Sequence, residues 1–266
     1  MSNKNSEPER WLKAELHAHC SLDPVDSRLC SYSPEELINE AARLGYQVLA
    51  ITCHNLDVWS AELSEYAAAR GITLIPGMEV TTEGRRHTLV YNFGTVAENL
   101  KTLEQIRARS RRDTLVVAPH PYFPSTKCLA SRLDQNIEVF DAIEVSGFRA
   151  PGLDFNRRAY RTAAAYSKPL IGSGDVHQLW QLGRTFTWIQ AAPAVEPILT
   201  AIKQNRVRVE STALSYAEVA RWWATALARL IVPARVSGRR KAGSFLPNPA
   251  PKGRESGLAG QKSGSV

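Results

Sequence analysis

Several common enzyme signatures are missing from this chain. It has no G-x-x-x-x-G-K-[ST] loop and no G-x-S-x-G elbow, which excludes P-loop nucleotide hydrolases and elbow-type serine hydrolases. No apolar stretch approaches 18 residues, so no membrane span is expected. Its four cysteines (Cys20, Cys30, Cys53, Cys128) form no C-x-x-C pair, and the opening MSNKNSEPER has no apolar h-region. Together these read as reduced thiols in a cytoplasmic protein rather than a disulfide framework.

Charge is also scarce once it is located. Of the net +7, the segment 233–266 carries +6, from seven basic residues against Glu255. That segment is rich in Gly, Pro, Ser and Ala and is expected to be a disordered tail, with weak nucleic-acid or other polyanion binding as the alternative. The remaining body is nearly neutral. The expected organisation is a flexible 1–10, a barrel over 11–210, an amphipathic helix over 211–232 and the tail.

The six histidines each sit at or next to the end of a short apolar run. LKAELH (12–17), QVLAIT (47–52), ITLIPGME (72–79), HTLVYNF (87–93), TLVVAPH (114–120), AIEVSG (142–147), KPLIGSGDVH (168–177) and 185–190 read as strands. Helices are expected between them. The first opens at Ser33-Pro34-Glu35-Glu36 and stops at Gly45; others are expected over 59–70, 97–111, 154–166 and 195–204. This alternation predicts an α/β fold, a parallel sheet or barrel of βα units. Val219, Trp222, Trp223, Ala226, Leu227, Leu230 and Ile231 fall at helical spacing and predict a helix over 216–231, with one apolar face docked on the barrel or a second subunit.

Strand-end histidines converge at one end of such a fold, where α/β enzymes build their sites. His17-Ala18-His19 places two imidazoles on one side of a strand, a pair suited to Zn, Mn or Fe. Asp175 and His177 form a second alternating pair, with Gly172 and Gly174 leaving room for close approach. Glu79 follows a strand and a Pro-Gly turn and has two oxygens, enough to bridge two ions about 3.5–4 Å apart. His120 lies between Pro119 and Pro121, which fix the backbone around it.

The runs HAHCSLDP, SPEELINEAARLGYQVLAITCHN, GMEVTTEGRRHTLV, APHP and GSGDVH, in this order, resemble the PHP (polymerase and histidinol phosphatase) family over residues 12 to about 209. The resemblance implies a distorted, TIM-like barrel of seven strands, with two or three divalent ions at the strands' carboxyl ends, and hydrolysis of phosphate esters. By motif, His17, His19, Glu79 and Asp175 would hold one ion, and Glu79 would bridge to a second held by His87 and His120. His54 and His177 would hold a third with an acid from the loop after His19. Asp23 is preferred for that acid and Asp26 is the alternative. The family usually reads T-D-H where this chain has Thr52-Cys53-His54; Cys53 points away from His54 and is expected to pack.

The implied reaction is attack of a metal-bridged hydroxide on phosphorus, with His17, His19, Glu79, His120, Asp175 and His177 acting through the metals. Arg184 and Arg149 are the candidates for binding the phosphate. Only 32 residues separate His87 from His120, too few for an inserted recognition domain, so a small phosphorylated metabolite or nucleotide is expected. The rivals are an amidohydrolase-type barrel that cleaves C–N bonds and a non-catalytic metal-binding domain with a polyanion-binding tail. Oligomeric state is not indicated.

Overall fold

The structure is a computed structural model that describes residues 9–231. The expected N-terminal segment and tail fall outside these residues, apart from Glu9 and Arg10. Nine strands form one sheet: β1 (Arg10–Glu15), β2 (Val48–Ile51), β3 (Thr73–Thr82), β4 (Arg86–Tyr91), β5 (Leu115–Ala118), β6 (Ala142–Ser146), β7 (Leu170–Ser173), β8 (Thr185–Ala191) and β9 (Val207–Ser211). Their order is β7-β6-β5-β4-β3-β2-β1-β8-β9. The helices are α1 (Pro34–Arg43), α2 (Ala61–Ala68), α3 (Leu103–Arg109), α4 (Ser131–Gln135), α5 (Arg157–Ala165), α6 (Val195–Lys203) and α7 (Tyr216–Ile231).

The apolar strand runs reflect burial on both faces. Val48 and Ala50 enter one core cluster while Leu49 and Ile51 enter another with Leu37, Ile38 and Ala41 of α1. Leu115 and Val117 likewise face one cluster, and Val116 and Ala118 face a third that contains Leu103 and Ile106 of α3. The start of α1 follows its sequence signal: Ser33 Oγ accepts from Glu36 N, Glu36 accepts from Ser33 N, and Gly45 turns the chain at φ +76°.

The sheet is mixed rather than parallel. β1–β2, β2–β3, β5–β6 and β6–β7 are parallel; β3–β4, β4–β5, β1–β8 and β8–β9 are antiparallel. The reason lies in the connections. β3 runs straight into β4 through a tight turn at Glu83–Arg85, where Gly84 and Arg85 take positive φ, and no helix intervenes to carry the chain back. Pro76-Gly77 is therefore mid-strand, not a turn. A Cβ on Gly77 would lie 2.9 Å from the Tyr91 ring, so glycine makes room for that tyrosine. The expected helix over 97–111 is a 3-10 turn (Gly94–Asn99) and then α3, which Thr102 restarts by accepting from Gln105 N. Strand β9 was not expected; its only signal is the alternation Val207, Val209, Ser211 against Arg208 and Glu210.

The end strand β7 packs back against β8 and β9, with no ladder between β7 and β8 among the described residues. Thr187 Oγ1 on β8 donates to Gly172 O and accepts from Gly172 N, each at 2.8 Å. A Cβ on Gly172 would lie 2.6 Å from Val209 Cγ1 and 3.0 Å from the Phe186 carbonyl oxygen. Gly172→Ala is therefore expected to cost about 1–3 kcal/mol through overpacking. A urea unfolding midpoint equal to that of the parent would show that the sheet does not close tightly there.

Candidate metal centre

Beyond the strand ends, the ladder continues in single bridges that align the histidines. Ala18 and Val176 pair as a parallel bridge, with Val176 N donating to His17 O (3.0 Å) and His19 N donating to Val176 O (2.9 Å). His17 and His19 flank one bridge residue, and Asp175 and His177 flank the other. All four side chains therefore share a face, while Ala18 and Val176 are buried in a hydrophobic cluster. His54 and Glu79 form a second parallel bridge. His87 opens β4, and because β4 runs against β3 its first residues return to the same end as Glu79. His120 and Asp175 both have positive φ, 29° and 46°. Non-glycine residues seldom adopt that region, and such strain (about 1–3 kcal/mol) persists where a site fixes the geometry.

Glu79 is the hub. Its Oε1 lies 2.7 Å from His87 Nδ1 and 3.3 Å from His120 Nε2. Its Oε2 lies 3.0 Å from His54 Nε2 and 3.5 Å from the Nε2 atoms of both His17 and His19. Asp175 Oδ1 faces the same two nitrogens at 3.4 and 3.3 Å. His177 Nε2 reaches Asp26 Oδ2 at 3.2 Å. Three-residue sets with ligand atoms within 4.8 Å of one another include His17–His19–Asp175, His17–Glu79–His120 and His54–Glu79–His87.

The far sides of three rings are engaged. His17 Nδ1 donates to Glu144 Oε2 (3.0 Å), and His19 Nδ1 and His54 Nδ1 both donate to Asp23 Oδ2 (2.8 and 2.9 Å). That network fixes Nδ1 as the donor, so each ring presents Nε2 to the side of Glu79, where it can hold either a proton or an ion. His17 Nε2 and His19 Nε2 then face each other at 3.3 Å with two carboxylate oxygens close by. Nitrogens and anionic oxygens converging on one point need positive charge among them, from protons or from a metal cation. His87 Nε2, buried with no partner, is a further free donor atom. The residues fit divalent metal ions.

The electrostatics carry the same message. Burial alone would lower the pKa of His17, but Asp175, Glu144 and Glu79 outweigh it and hold it well above the usual histidine value. For His54, burial is overcome by Glu79 and Asp23, which raise it to about 10. His120 and His177 are also raised against burial, by Cys128 and Glu79 and by Asp175 and Asp26 respectively. His87 goes the other way, lowered by burial. Glu79 and Asp175 are held well below the usual carboxylate range despite burial, because histidines surround them.

Asp23 forms a further set with His19 and His54 within the same 4.8 Å. It sits on their Nδ1 side. Its Oδ1 accepts from Val25 N and Asp26 N (2.8 Å each), and its Oδ2 takes the two ring protons and His54 N, so it has no free lone pair for the cavity. Asp26 is the acid of that loop that lines the cavity. Arg184 and Arg149 do not line it: Arg184 pairs with Glu218 of α7, a nearby acid that draws it away from the histidines. The basic side chain at the cavity is Lys127, in a loop held by Arg86, which donates to the carbonyls of Thr126 and Cys128. Cys53 does pack away from the site, with its Sγ 3.5 Å from Cys20 Sγ.

Glu144 is a group the sequence reading missed. It is a lone acid in a fully buried strand, which is itself the signal. Glu144→Gln should weaken metal affinity about 10–100-fold, as loss of an outer-shell partner does, because the ring of His17 loses its anionic partner. Metal titration followed by calorimetry checks this; affinity within twofold of the parent would assign Glu144 a packing role only.

A family profile described as PHP-associated matches residues 154–207. The uncharacterized protein MJ1587 of Methanocaldococcus jannaschii is 29% identical over 150 residues, 51% of this chain and 85% of that protein. The error-prone DNA polymerase of Nocardia farcinica is 37% identical over 68 residues, 26% of this chain but 6% of the polymerase. Among solved structures, a two-domain protein from Bacteroides vulgatus containing a predicted PHP-like metal-dependent phosphoesterase is similar. It has 19% identity and a TM-score of 0.62, over 84% of this chain and 74% of that one. PsfC from Pseudomonas syringae has 17% identity and a TM-score of 0.52, over 84% of this chain and 99% of that one.

Proposed function

We propose that this chain is a PHP-type, metal-dependent phosphoesterase for a small phosphorylated substrate, a reading supported by the PHP-associated match over residues 154–207 and by the shared fold. The observation that carries this is Glu79, whose two oxygens divide the histidines into two groups, His87 and His120 on one side and His17, His19 and His54 on the other. A carboxylate so placed suits a bridge between two divalent ions.

In this reading His17, His19, Glu79 and Asp175 hold one ion, and Glu79, His87 and His120 a second. His54 and His177 hold a third, with Asp26 in place of Asp23. Two or three ions of the Zn, Mn or Fe class would supply Lewis-acid stabilisation of phosphoryl charge and a water of lowered pKa. The chain's own residues do the positioning. Glu144 and Asp23 fix the ring tautomers of His17, His19 and His54, and the rigid turn at Pro119-His120-Pro121 holds one imidazole in place. Lys127 offers a cation to the phosphate from the cavity wall. Lys127→Ala should raise KM for a phosphate ester roughly tenfold or more, with Lys127→Arg recovering most of the loss; an unchanged KM would remove Lys127 from phosphate binding.

The test is elemental analysis of protein purified without chelators, joined to turnover of a generic aryl phosphate against a panel of amides and lactones. At least one equivalent of transition metal and release of phosphate are expected. Less than one equivalent, with no phosphate released after adding Mn or Zn, would falsify the reading. Preferential cleavage of the amides would replace it with an amidohydrolase.

A further inference from the structure

One wall of the cavity is aromatic. Phe123, Phe148 and Trp222 all line the cavity of about 180 Å³ that also holds Glu79, His120 and Asp175. Their rings form a continuous chain: the Phe123 and Phe148 centroids lie 5.5 Å apart at 89°, and those of Phe148 and Trp222 lie 5.3 Å apart at 64°. Each of the three is only half-buried. Phe123 is braced from behind by Phe155 at 5.2 Å.

The third ring comes from α7, beyond the stretch that carries the family motifs. Contacts with loops of the barrel's site end hold that helix there. Arg184 pairs with Glu218, Leu214 N donates to Arg149 O (2.7 Å), and Tyr216 Oη donates to Pro151 O (3.1 Å). The face of α7 is split: Trp222 turns to the cavity, while Trp223 and Leu227 are 58% and 59% exposed. Helical spacing alone assigned all of these residues to one docking face.

Phenyl rings offer no hydrogen-bond donor to a polyol, and a sugar covers such a wall less fully than a flat ring does. A flat ring laid against it removes apolar surface from water on both partners and gains stacking. We propose that the Phe123–Phe148–Trp222 wall is a subsite for a planar aromatic group carried by the substrate, with Trp222 the residue that sets the preference. The substrate class is then an alkyl phosphate bearing a flat aromatic or heteroaromatic ring. The phosphate end of this assignment rests on the phosphoesterase reading above; the aromatic end does not.

The test compares adenosine 5′-monophosphate with ribose 5-phosphate on the metal-loaded full chain. The two are primary alkyl phosphates that release a 5′ alcohol as leaving group, and they differ in the base. Calorimetric Kd and kcat/KM are measured for both. The nucleotide is expected to bind about tenfold tighter, the scale of one stacked base. Trp222→Ala should bring its Kd to that of ribose 5-phosphate and leave the latter unchanged. Trp222→Phe should keep most of the preference, and Leu227→Ala on the exposed face all of it. Equal Kd values for the two ligands in the parent protein, or a preference that survives Trp222→Ala with the fold intact by circular dichroism, would overturn the subsite. A binding preference without turnover of either ester keeps the subsite and sinks the phosphoesterase reading. Turnover without preference does the reverse.

Discussion

Glu79→Gln should leave a folded protein with turnover reduced by more than the roughly 100-fold that loss of an outer-shell partner costs. The substitution keeps the shape of the side chain and removes one negative charge from the centre of five histidines. Both halves of the proposed centre share this carboxylate, so losing it affects both groups of rings at once, unlike the loss of any single histidine. The amide also brings an NH2 donor to one side, toward His87 and His120 or toward His17, His19 and His54. A side chain that donates there cannot coordinate an ion there. Metal content should fall together with turnover. Elemental analysis and a phosphate-release assay on the same preparation read both. If Glu79→Gln keeps full metal occupancy and activity within tenfold of the parent, Glu79 is a neighbour of the rings and not their bridge.

The legibility of this site in the sequence follows from a simple geometric rule. Side chains two apart on a strand share a face, so H-A-H and D-V-H each declare a pair of groups pointing one way. The Ala18–Val176 bridge then sets the two pairs side by side. Single histidines at strand ends were also readable, because a short apolar run followed by a polar residue marks where a strand leaves the core. What sequence could not supply was the direction of a chain between strands. A helix-free connection such as Glu83–Arg85 makes β4 antiparallel, yet it leaves His87 where a parallel reading would also put it, since the turn returns to the same end.

The loop acid shows the limit most sharply. Asp23 and Asp26 are three residues apart in a turn, and either carboxylate reaches the histidines. The choice rests on backbone donors: Val25 N and Asp26 N close onto Asp23 Oδ1 and turn that acid into an anchor for the rings. Arg184 shows the converse. A guanidinium after the last motif matches a phosphate in principle, but Glu218 lies 34 residues on and claims it, using the charge to hold α7. Cys53 is the opposite case, readable because its alternation with His54 turned it inward, where Cys20 supplies a thiol partner of equal polarity.

Removing the metal should lower the melting temperature by roughly 8–16 °C, and adding back Mn or Zn should restore it. An ion held at 1,000 times its Kd contributes about 4 kcal/mol of stability to the folded state, and about 1 kcal/mol shifts Tm by 2–4 °C in a chain of this size. The structure explains why the loss falls on the fold and not only on activity. His17, His19, Asp23 and Glu144 are fully buried, and Glu79 is 1% exposed. These groups lie on or just beyond β1, β3 and β6, and the extensions of β1 and β7 meet there in the bridge at Ala18 and Val176. Without a cation, protons drawn onto His17 and His54 by the surrounding carboxylates offset part of the repulsion, so the metal-free protein should stay folded at moderate temperature. It should melt earlier, and the loosening should begin at that bridge. Thermal melts by circular dichroism, with hydrogen exchange at the His19 and Val176 amides, read both consequences. A chelated protein that melts within about 2 °C of the metal-loaded form, with those amides equally protected, would mean that the barrel closes through packing alone and that no ion bears on the fold.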